Sequence, residues 1–272
     1  MGRPTKIVYL ALVFCFSILS TTKAGVSVIG GLTHEKRAKP GEIYKGSVII
    51  KNNSTEPEEV KVYQTDYQFC FDGNNNYGPS GKSQRSNANW LSFNPHRLTI
   101  PPGDVSTVNY TTKVPDDPNL VGTYWSMLMI EGVPKSSRES SQAEKDKTKI
   151  GITQIMRYGI QMITNIGDTG ERNLKFLQTK LLREAEGRFL QMDIENTGQR
   201  GLRASLWVEL YDEGGGYIGK FDGGGKLTYP GTSVRHKVDL TGVPQGAYKA
   251  LVVADCGGDD IFGANYDFKF EK

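Results

Sequence analysis

The amino-acid sequence predicts an all-β protein made of two tandem β-sandwiches that follow a short leader. From residue 26 onward, short segments alternate apolar and polar side chains at period two and end at clusters of Gly, Pro, Asn, Asp and Ser. No long stretch shows the 3.6-residue period of an amphipathic helix. The second half also repeats the first in order, so we expect two copies of one topology.

The internal repeat lies in the turns between predicted strands. LTIPPG at residues 98–103 corresponds to LTYPG at residues 227–231, and KNNS at residues 51–54 corresponds to ENTG at residues 195–198. Each Pro-Gly turn is followed by an alternating strand, a Val-Pro pair and a Gly-x-Tyr opening of an apolar strand. Matching order across four features indicates that the two halves share one architecture.

A tyrosine opens a late strand in each half, at Tyr124 in GTY and at Tyr248 in GAY. A tyrosine in this place, with its hydroxyl reaching back to the preceding connection, is a device of immunoglobulin-like sandwiches. We therefore predict that both tyrosines are packing residues and that both halves are immunoglobulin-like β-sandwich domains.

The first 24 residues have the layout of a secretory signal peptide. Arg3 and Lys6 form a positive start, residues 7–19 are apolar, and the small residue Ala24 precedes the expected cut. The apolar core is too short to span a bilayer comfortably. We expect an exported chain with no transmembrane anchor after removal of residues 1–24.

The charge balance points away from polyanionic partners. Loss of the leader removes three of the 33 basic residues and none of the 30 acidic ones, which leaves a neutral mature chain. Neutrality argues against a nucleic-acid binder and against a polybasic membrane surface. The expected partner is another protein.

Composition sets the expected domain boundaries. We assign residues 25–166 to the first immunoglobulin-like domain and residues 167–272 to the second, with the turn-rich NIGDTGER at residues 165–172 as the linker. Within the first domain, PKSSRESSQAEKDKTK at residues 134–149 has no large apolar side chain. Such a segment cannot offset its ordering entropy by burial, so we expect a mobile loop.

The strand that follows this loop, at residues 149–164, is the strongest functional candidate. Its period-two pattern is interrupted at Gln154, and the pattern gives it one apolar face. That face consists of Ile150, Ile152, Met156, Tyr158, Ile160 and Met162. Two interpretations stay open: an edge strand that offers these side chains to a partner, or an ordinary strand that its own domain buries.

Two near-motifs fall in one loop rich in Asn, Gly and Ser. GKS at residues 81–83 resembles the end of a phosphate loop, but the leading glycine position is Asn76 and no helix follows. Asp72 and Asn74 begin a calcium-loop spacing whose twelfth position, Ser83, cannot supply a bidentate carboxylate. We expect a turn-rich loop that binds neither nucleotide nor calcium.

Other reactive side chains form no recognisable motif. His34, His96 and His236 lack a second ligand at metal-binding spacing, so we predict surface or turn positions and no metal or other cofactor. The sequence has no catalytic motif, and we expect no enzyme. Cys70 and Cys256 fall in different predicted domains, which favours two separate thiols and leaves one disulfide as the alternative.

The chain resembles the periplasmic pilus chaperones. The shared features are the leader, the two sandwich-like halves with their repeated turn sequences, and the long loop before an alternating strand. ITQIMRYGIQMI at residues 152–163 is similar to the donor strand of that family. The resemblance implies a periplasmic, non-catalytic chaperone that holds a pilin-like subunit by adding this strand to an incomplete sandwich. It assigns the contacts to the apolar face named above and to Arg157.

The chain departs from the family at the residues that anchor the subunit. The family uses an Arg on the first strand and a Lys on the donor strand to hold the subunit's terminal carboxylate. The Lys position falls on Gly159 here, and the first strand, VSVIGG at residues 26–31, has no Arg. We take Arg157, on the same face as Gly159, as the candidate substitute.

A second resemblance is to surface proteins that partner WxL-domain proteins, and it gives the alternative of a cell-surface or cell-wall binding protein. In that case Tyr67, Tyr77 and Trp90, around the loop at residues 72–87, are expected to meet a polysaccharide or host ligand. Those surface proteins usually carry a C-terminal membrane anchor, whereas this sequence ends in FKFEK. We therefore expect a periplasmic location, with an extracellular or cell-surface location as the alternative.

Overall fold

The computed structural model describes residues 25–134 and 155–270. The expected leader at residues 1–24 and most of the loop at residues 134–149 lie outside the described residues. Seventeen strands and one turn of 3-10 helix, Ala88–Trp90, make up the regular structure of the described part, which confirms the all-β fold class. No helix in those two ranges has both the length and the apolar character needed to cross a membrane.

The N-terminal sandwich contains ten strands that form two sheets. In chain order they are β1 (Val26–Ile29), β2 (Thr33–Ala38), β3 (Ile43–Asn52), β4 (Glu58–Phe69), β5 (Asn75–Gly78), β6 (Leu91–Asn94), β7 (Arg97–Ile100), β8 (Val105–Lys113), β9 (Gly122–Gly132) and β10 (Arg157–Ile166). One sheet has the order β1-β3-β8-β6. The other has the order β2-β10-β9-β4-β5, and β7 also pairs with β4.

The C-terminal sandwich contains seven strands. They are β11 (Leu174–Glu184), β12 (Gly187–Asn196), β13 (Leu202–Asp212), β14 (Tyr217–Thr228), β15 (Ser233–Asp239), β16 (Gly246–Asp255) and β17 (Ile261–Phe270). Its sheets have the orders β11-β12-β15 and β14-β13-β16-β17, and all of their pairings are antiparallel. Leu206, Val208, Leu210 and Val252 lie at the centre of its core and are fully buried.

The first strand of the chain changes sheets part-way along its length. β1 pairs with the end of β3 in one sheet, and after Gly30 and Gly31 the chain crosses to the other sheet, where β2 pairs in parallel with β10. Gly30 has φ 101°, a conformation that favours glycine because a Cβ is strained there. As a result, neither β1 nor β2 covers the full length of its neighbour.

Three strands were not predicted from the sequence: β2, β11, and β5, which lies in the loop expected to be turn-rich. β2 has three charged residues among its six and β11 has four among its eleven, so their apolar alternation is weak. The glycine-rich stretch before residue 226 lies inside β14, where a Cβ at Gly223 would come within 2.4 Å of Leu206 Cδ2. Those glycines let β14 bulge against β13. The linker is also shorter than predicted, because β10 continues to Ile166.

The internal repeat is visible as one buried hydrogen-bonding device used twice. Asn52 is fully buried, and its amide donates to the carbonyl oxygens of Ile100 at 2.9 Å and Pro101 at 3.1 Å. Asn196 is also fully buried, and its amide donates to the carbonyl oxygen of Thr228 at 3.2 Å. In each sandwich an asparagine at a strand end therefore holds the Pro-Gly turn that the sequence repeat contains.

The tyrosines that open β9 and β16 make different contacts, although the sequence predicts the same packing role for both. Tyr248 donates its hydroxyl to the carbonyl oxygen of Pro244 at 3.0 Å, which confirms the expected reach back to the preceding connection. Tyr124 packs its ring against Trp90, with centroids 4.7 Å apart, and the guanidinium of Arg85 lies over the same ring. Tyr124 is thus a packing residue, but the structure gives it ring contacts in place of the corner hydrogen bond.

We predict that Asn52→Ala lowers the free energy of unfolding by about 2–3 kcal/mol, because buried carbonyl groups lose their donor. Chemical denaturation followed by circular dichroism measures the change. The exposed turn residue Asn119 supplies the control, since Asn119→Ala is expected to change stability by less than about 0.5 kcal/mol. Equal effects of the two substitutions would contradict the role of the buried amide.

Candidate functional site: a half-open strand edge beside the interdomain cleft

The pairing of β10 changes half-way along the strand. On one side, β9 pairs with β10 over its whole length, from Arg157 opposite Glu131 onward. On the other side, β2 pairs only from Gln161, which lies opposite Thr33. No described strand pairs with this second side of residues 157–160. Half of β10 is therefore an open sheet edge in the described part of the chain.

The main-chain groups at this open edge follow from the hydrogen bonds around it. The carbonyl oxygen of Met156 accepts from Gly132 on the β9 side, and the N–H of Gln161 donates to Leu32 on the β2 side. Since alternate residues of a strand point to opposite neighbours, the N–H and C=O groups of Arg157 and Gly159 point toward the open side. No described strand bonds to these groups, so in the described part of the chain they are placed to pair with one added strand.

The apolar face of β10 points into the N-terminal sandwich where it is described. Ile160 is fully buried and Met162 is 3% exposed, and both belong to the sandwich core. Tyr158 packs against the same core and donates its hydroxyl to the carbonyl oxygen of Val26. The prediction that Ile160 and Met162 contact a partner is therefore corrected, because the opposite sheet already covers them.

The remaining apolar positions precede the sandwich core. Ile150 and Ile152 lie outside the described residues. Met156 is half-buried and continues the face of Tyr158 at the point where the pairing with β9 ends. These three side chains stay a prediction as partner contacts.

Arg157 is held by an ion pair on the outer face of the sheet. Its Nε donates to the Glu131 carboxylate at 2.8 Å, and the Tyr63 hydroxyl donates to the same oxygen at 2.6 Å. The hydrogen bond from Tyr63, together with Arg157, holds the pKa of Glu131 below its ordinary value despite the opposing effect of burial. Burial, and then the bond to Glu131, raises the pKa of Tyr63 to about 12. Arg157 does not line the cleft that lies between the two sandwiches. Its proposed role as the anchor for a partner's terminal carboxylate therefore gains no support there.

The open half-edge ends where the two sandwiches meet. Tyr229, on the turn after β14, is 1% exposed and stacks on Trp125 of β9, with ring centroids 4.6 Å apart and planes at 14°. Its hydroxyl donates to the side-chain oxygen of Gln161, and Ile163 completes the same apolar cluster. Burial raises the pKa of Tyr229. The C-terminal sandwich therefore contacts β10 directly, at its first doubly paired residue.

A cleft of ≈ 430 Å³ lies between the sandwiches next to Gln161. Its cationic side chains come from the C-terminal sandwich: Arg203, Lys226 and Arg235. Arg235 is paired through two hydrogen bonds with the buried carboxylate of Asp193. The three cationic side chains that line the cleft thus lie on the wall formed by the C-terminal sandwich.

The GKS sequence does form an anion-binding arrangement, and a side chain of the protein occupies it. The N–H groups of Gly81, Lys82 and Ser83 donate to the Asp66 carboxylate at 2.9, 2.8 and 2.6 Å, and the hydroxyl of Ser86 also donates. Successive N–H groups that converge in this way form a concave anion site. Burial alone would raise the pKa of Asp66, but these hydrogen bonds lower it. The loop is a structural clasp for Asp66.

Aromatic residues named for the cell-wall alternative are partly engaged in packing. Trp90 lies against Tyr124, as described above, and Tyr67 lies against Tyr77 with ring centroids 5.0 Å apart. Tyr77 is 54% exposed, whereas Tyr67 lines the interdomain cleft. Their role in ligand binding stays a prediction.

The histidines and cysteines have varied surroundings. His236 is fully buried on β15, so the surface or turn position predicted for it is wrong, and burial lowers its pKa. His34 bonds through Nδ1 to the Tyr110 hydroxyl at 2.9 Å. Cys70 and Cys256 lie in different sandwiches as free thiols, and burial raises the pKa of Cys256 to about 11. In residues 25–134 and 155–270, no three His, Cys, Asp or Glu side chains converge as metal ligands would.

Solved structures that resemble this chain include chaperones of fimbriae. A chain in the chaperone–tip adhesin complex of CFA/I fimbriae is 14% identical at TM-score 0.48, over 90% of this chain and 98% of that chain. The class 5 fimbriae chaperone CfaA is 13% identical at TM-score 0.46, over 88% and 98% of the two chains. A chain in the SafA pilin complex with the SafB chaperone from Salmonella enterica is 14% identical at TM-score 0.44, over 92% and 98%. The resemblance to pilus chaperones that the sequence indicates is thus also found among solved structures.

No protein-family model matches the chain, and no curated protein matches it.

We predict that Asp66→Asn lowers the free energy of unfolding by about 3 kcal/mol at neutral pH, because an amide cannot accept from all of these donors. Since the pKa of Asp66 is lowered in the folded state, its contribution is complete above the ordinary value of 3.8 and is lost as the pH falls through the folded value. The stability difference between the two proteins should therefore shrink in acid. Denaturation from pH 7 to pH 3, with the exposed Asp116→Asn as control, measures it. A difference that does not depend on pH would contradict the role of the charge.

Proposed function

We propose that this protein is an exported, non-catalytic chaperone that binds an incomplete sandwich subunit by strand addition at the open half of β10. The single observation that carries the proposal is the change of pairing at Gln161. Before that residue, β10 has a neighbour on one side only among the described strands. An exposed strand edge is a template for pairing with another chain.

The partner that fits this edge is a protein with an unfilled strand position, such as a pilin-like subunit of a surface structure. The main-chain groups of Arg157 and Gly159 supply hydrogen bonds that do not depend on the partner's sequence. The side chains of Ile150, Ile152 and Met156 continue the apolar face and are proposed to enter the partner's core. The setting in which such subunits are assembled is the periplasm, which agrees with the leader that the sequence predicts at residues 1–24.

The decisive experiment compares two variants that lose the same side chain, of which one also loses a main-chain donor at the open edge. Arg157→Pro removes the N–H that points to the open side, and Arg157→Ala removes the same ion pair with Glu131 but keeps the N–H. Because this N–H is not bonded to β9, both variants are expected to fold with similar stability. We predict that Arg157→Pro binds a co-expressed pilin-type subunit at least tenfold more weakly than Arg157→Ala does.

Affinity is measured by titration calorimetry, and amide hydrogen exchange shows where binding occurs. The amides of Arg157 and Gly159 are expected to exchange rapidly in the free protein and slowly in the complex. Equal affinity of the two variants, or unchanged exchange at both amides on binding, would exclude strand addition at this edge.

The apolar contacts have a separate test. We predict that Ile152→Asp weakens the same subunit's binding by at least tenfold, because the charge would have to enter an apolar pocket. Thr153→Asp serves as the matched control, since Thr153 lies on the opposite face in the period-two pattern. Equal affinities of the two variants would argue that the partner does not receive this face.

A further inference from the structure

We infer that Tyr229 of the C-terminal sandwich is a positioning residue for the open half of β10, although it contributes no group to the open edge. Its physical basis is the geometry around Gln161, and its effect on partner binding rests on the proposed function. Tyr229 donates its hydroxyl to the Gln161 side chain at the residue where the second neighbour of β10 begins. The two sandwiches are therefore joined at the boundary between the closed and open halves of this strand.

Tyr229 is itself held in a rigid turn. Its N–H donates to the Thr232 hydroxyl at 2.8 Å, and that hydroxyl donates to the carbonyl oxygen of Tyr229 at 2.9 Å. The N–H of Gly231 also donates to the carbonyl oxygen of Asn196, which is the buried residue that holds this turn. A side chain on such a turn has little freedom to move without moving the C-terminal sandwich.

The ring of Tyr229 is fixed from the N-terminal side as well. It stacks on Trp125 and meets Phe69 edge-on, with centroids 4.6 and 5.9 Å away. Ile163, the outward-facing residue two positions beyond Gln161, packs in the same cluster. Tyr229 therefore fixes β9 and β10 relative to each other on the face of the sheet that looks toward the cleft.

This arrangement matters most for residues 157–160. A doubly paired strand is held by two neighbours, but these residues have only β9 in the described part of the chain. Their conformation depends on the point at which β10 becomes anchored, and that point is Gln161, through its N–H to Leu32 and its side chain to Tyr229. Loss of the Tyr229 hydroxyl should loosen this anchor and let the open half fray. A frayed edge must be ordered before it can accept a strand, which lowers affinity.

The test compares Tyr229→Phe with Tyr248→Phe. Each variant loses one tyrosine hydroxyl bond in the same sandwich, but the Tyr248 bond goes to Pro244 within its own strand connection and not to β10. In the free protein, we expect Tyr229→Phe to speed amide exchange at Tyr158 and Ile160 at least fivefold more than Tyr248→Phe does. These two amides bond to β9, so their exchange reports fraying of the open half without any partner.

The same pair of variants is then titrated with the pilin-type subunit. We expect Tyr229→Phe to bind about fivefold more weakly than Tyr248→Phe, as the loss of one hydrogen bond predicts. Combining Tyr229→Phe with Gln161→Leu should give no further loss of affinity, because both changes remove the same bond.

The outcomes separate the two claims. If the wild-type protein binds no such subunit, the proposed function fails, and the exchange rates at Tyr158 and Ile160 still decide the inference. If exchange at these amides is equal in Tyr229→Phe and Tyr248→Phe, Tyr229 does not position β10 and the inference is overturned. If binding is equal in the two variants while the wild-type protein binds, the inference is overturned as well.

Discussion

The structure depends on the first strand of the N-terminal sandwich, which is shared between the two sheets of that sandwich. The first strand of the sandwich is divided into β1 and β2 at Gly30 and Gly31, and each part completes only half of a neighbouring strand. β1 covers β3 from residue 49 onward, and β2 covers β10 from residue 161 onward. The two uncovered halves, residues 43–48 and residues 157–160, follow from the same crossing. A sandwich built in this way has an incomplete edge in each sheet.

The two incomplete edges are not equivalent. The edge of β3 presents Lys45 at its centre, and a lysine on an edge strand discourages pairing with another chain. The edge of β10 has Gly159 at the corresponding central position, where a Cβ would come within 2.5 Å of Met127 Cε. Its cation, Arg157, is turned onto Glu131 on the outer face of the sheet. The residues at these two incomplete edges therefore favour addition of a partner strand at β10 over addition at β3.

Much of the fold could be predicted from the sequence, because period-two alternation and Pro-Gly turns are local signals. The repeated turns indicated two sandwiches, and the buried Asn52 and Asn196 show the physical basis of that repeat. The side of β10 that faces the core could not be predicted, because an apolar face looks the same to a partner and to a second sheet of its own domain. The clasp around Asp66 was also missed, since its donors are main-chain groups of residues 81–83, which leave no side-chain pattern.

Correcting the direction of the apolar face changes the physical basis of the proposed binding. Ile160 and Met162 belong to the core of the N-terminal sandwich, so the described part of the strand offers main-chain groups in place of these side chains. Hydrogen bonds of this kind give affinity with little selectivity, because every extended chain can make them. Selectivity must then come from side chains at the two ends of the open half. At one end these are the apolar residues before Arg157, and at the other they are the residues around Gln161, where Tyr229 brings the C-terminal sandwich into contact with the strand.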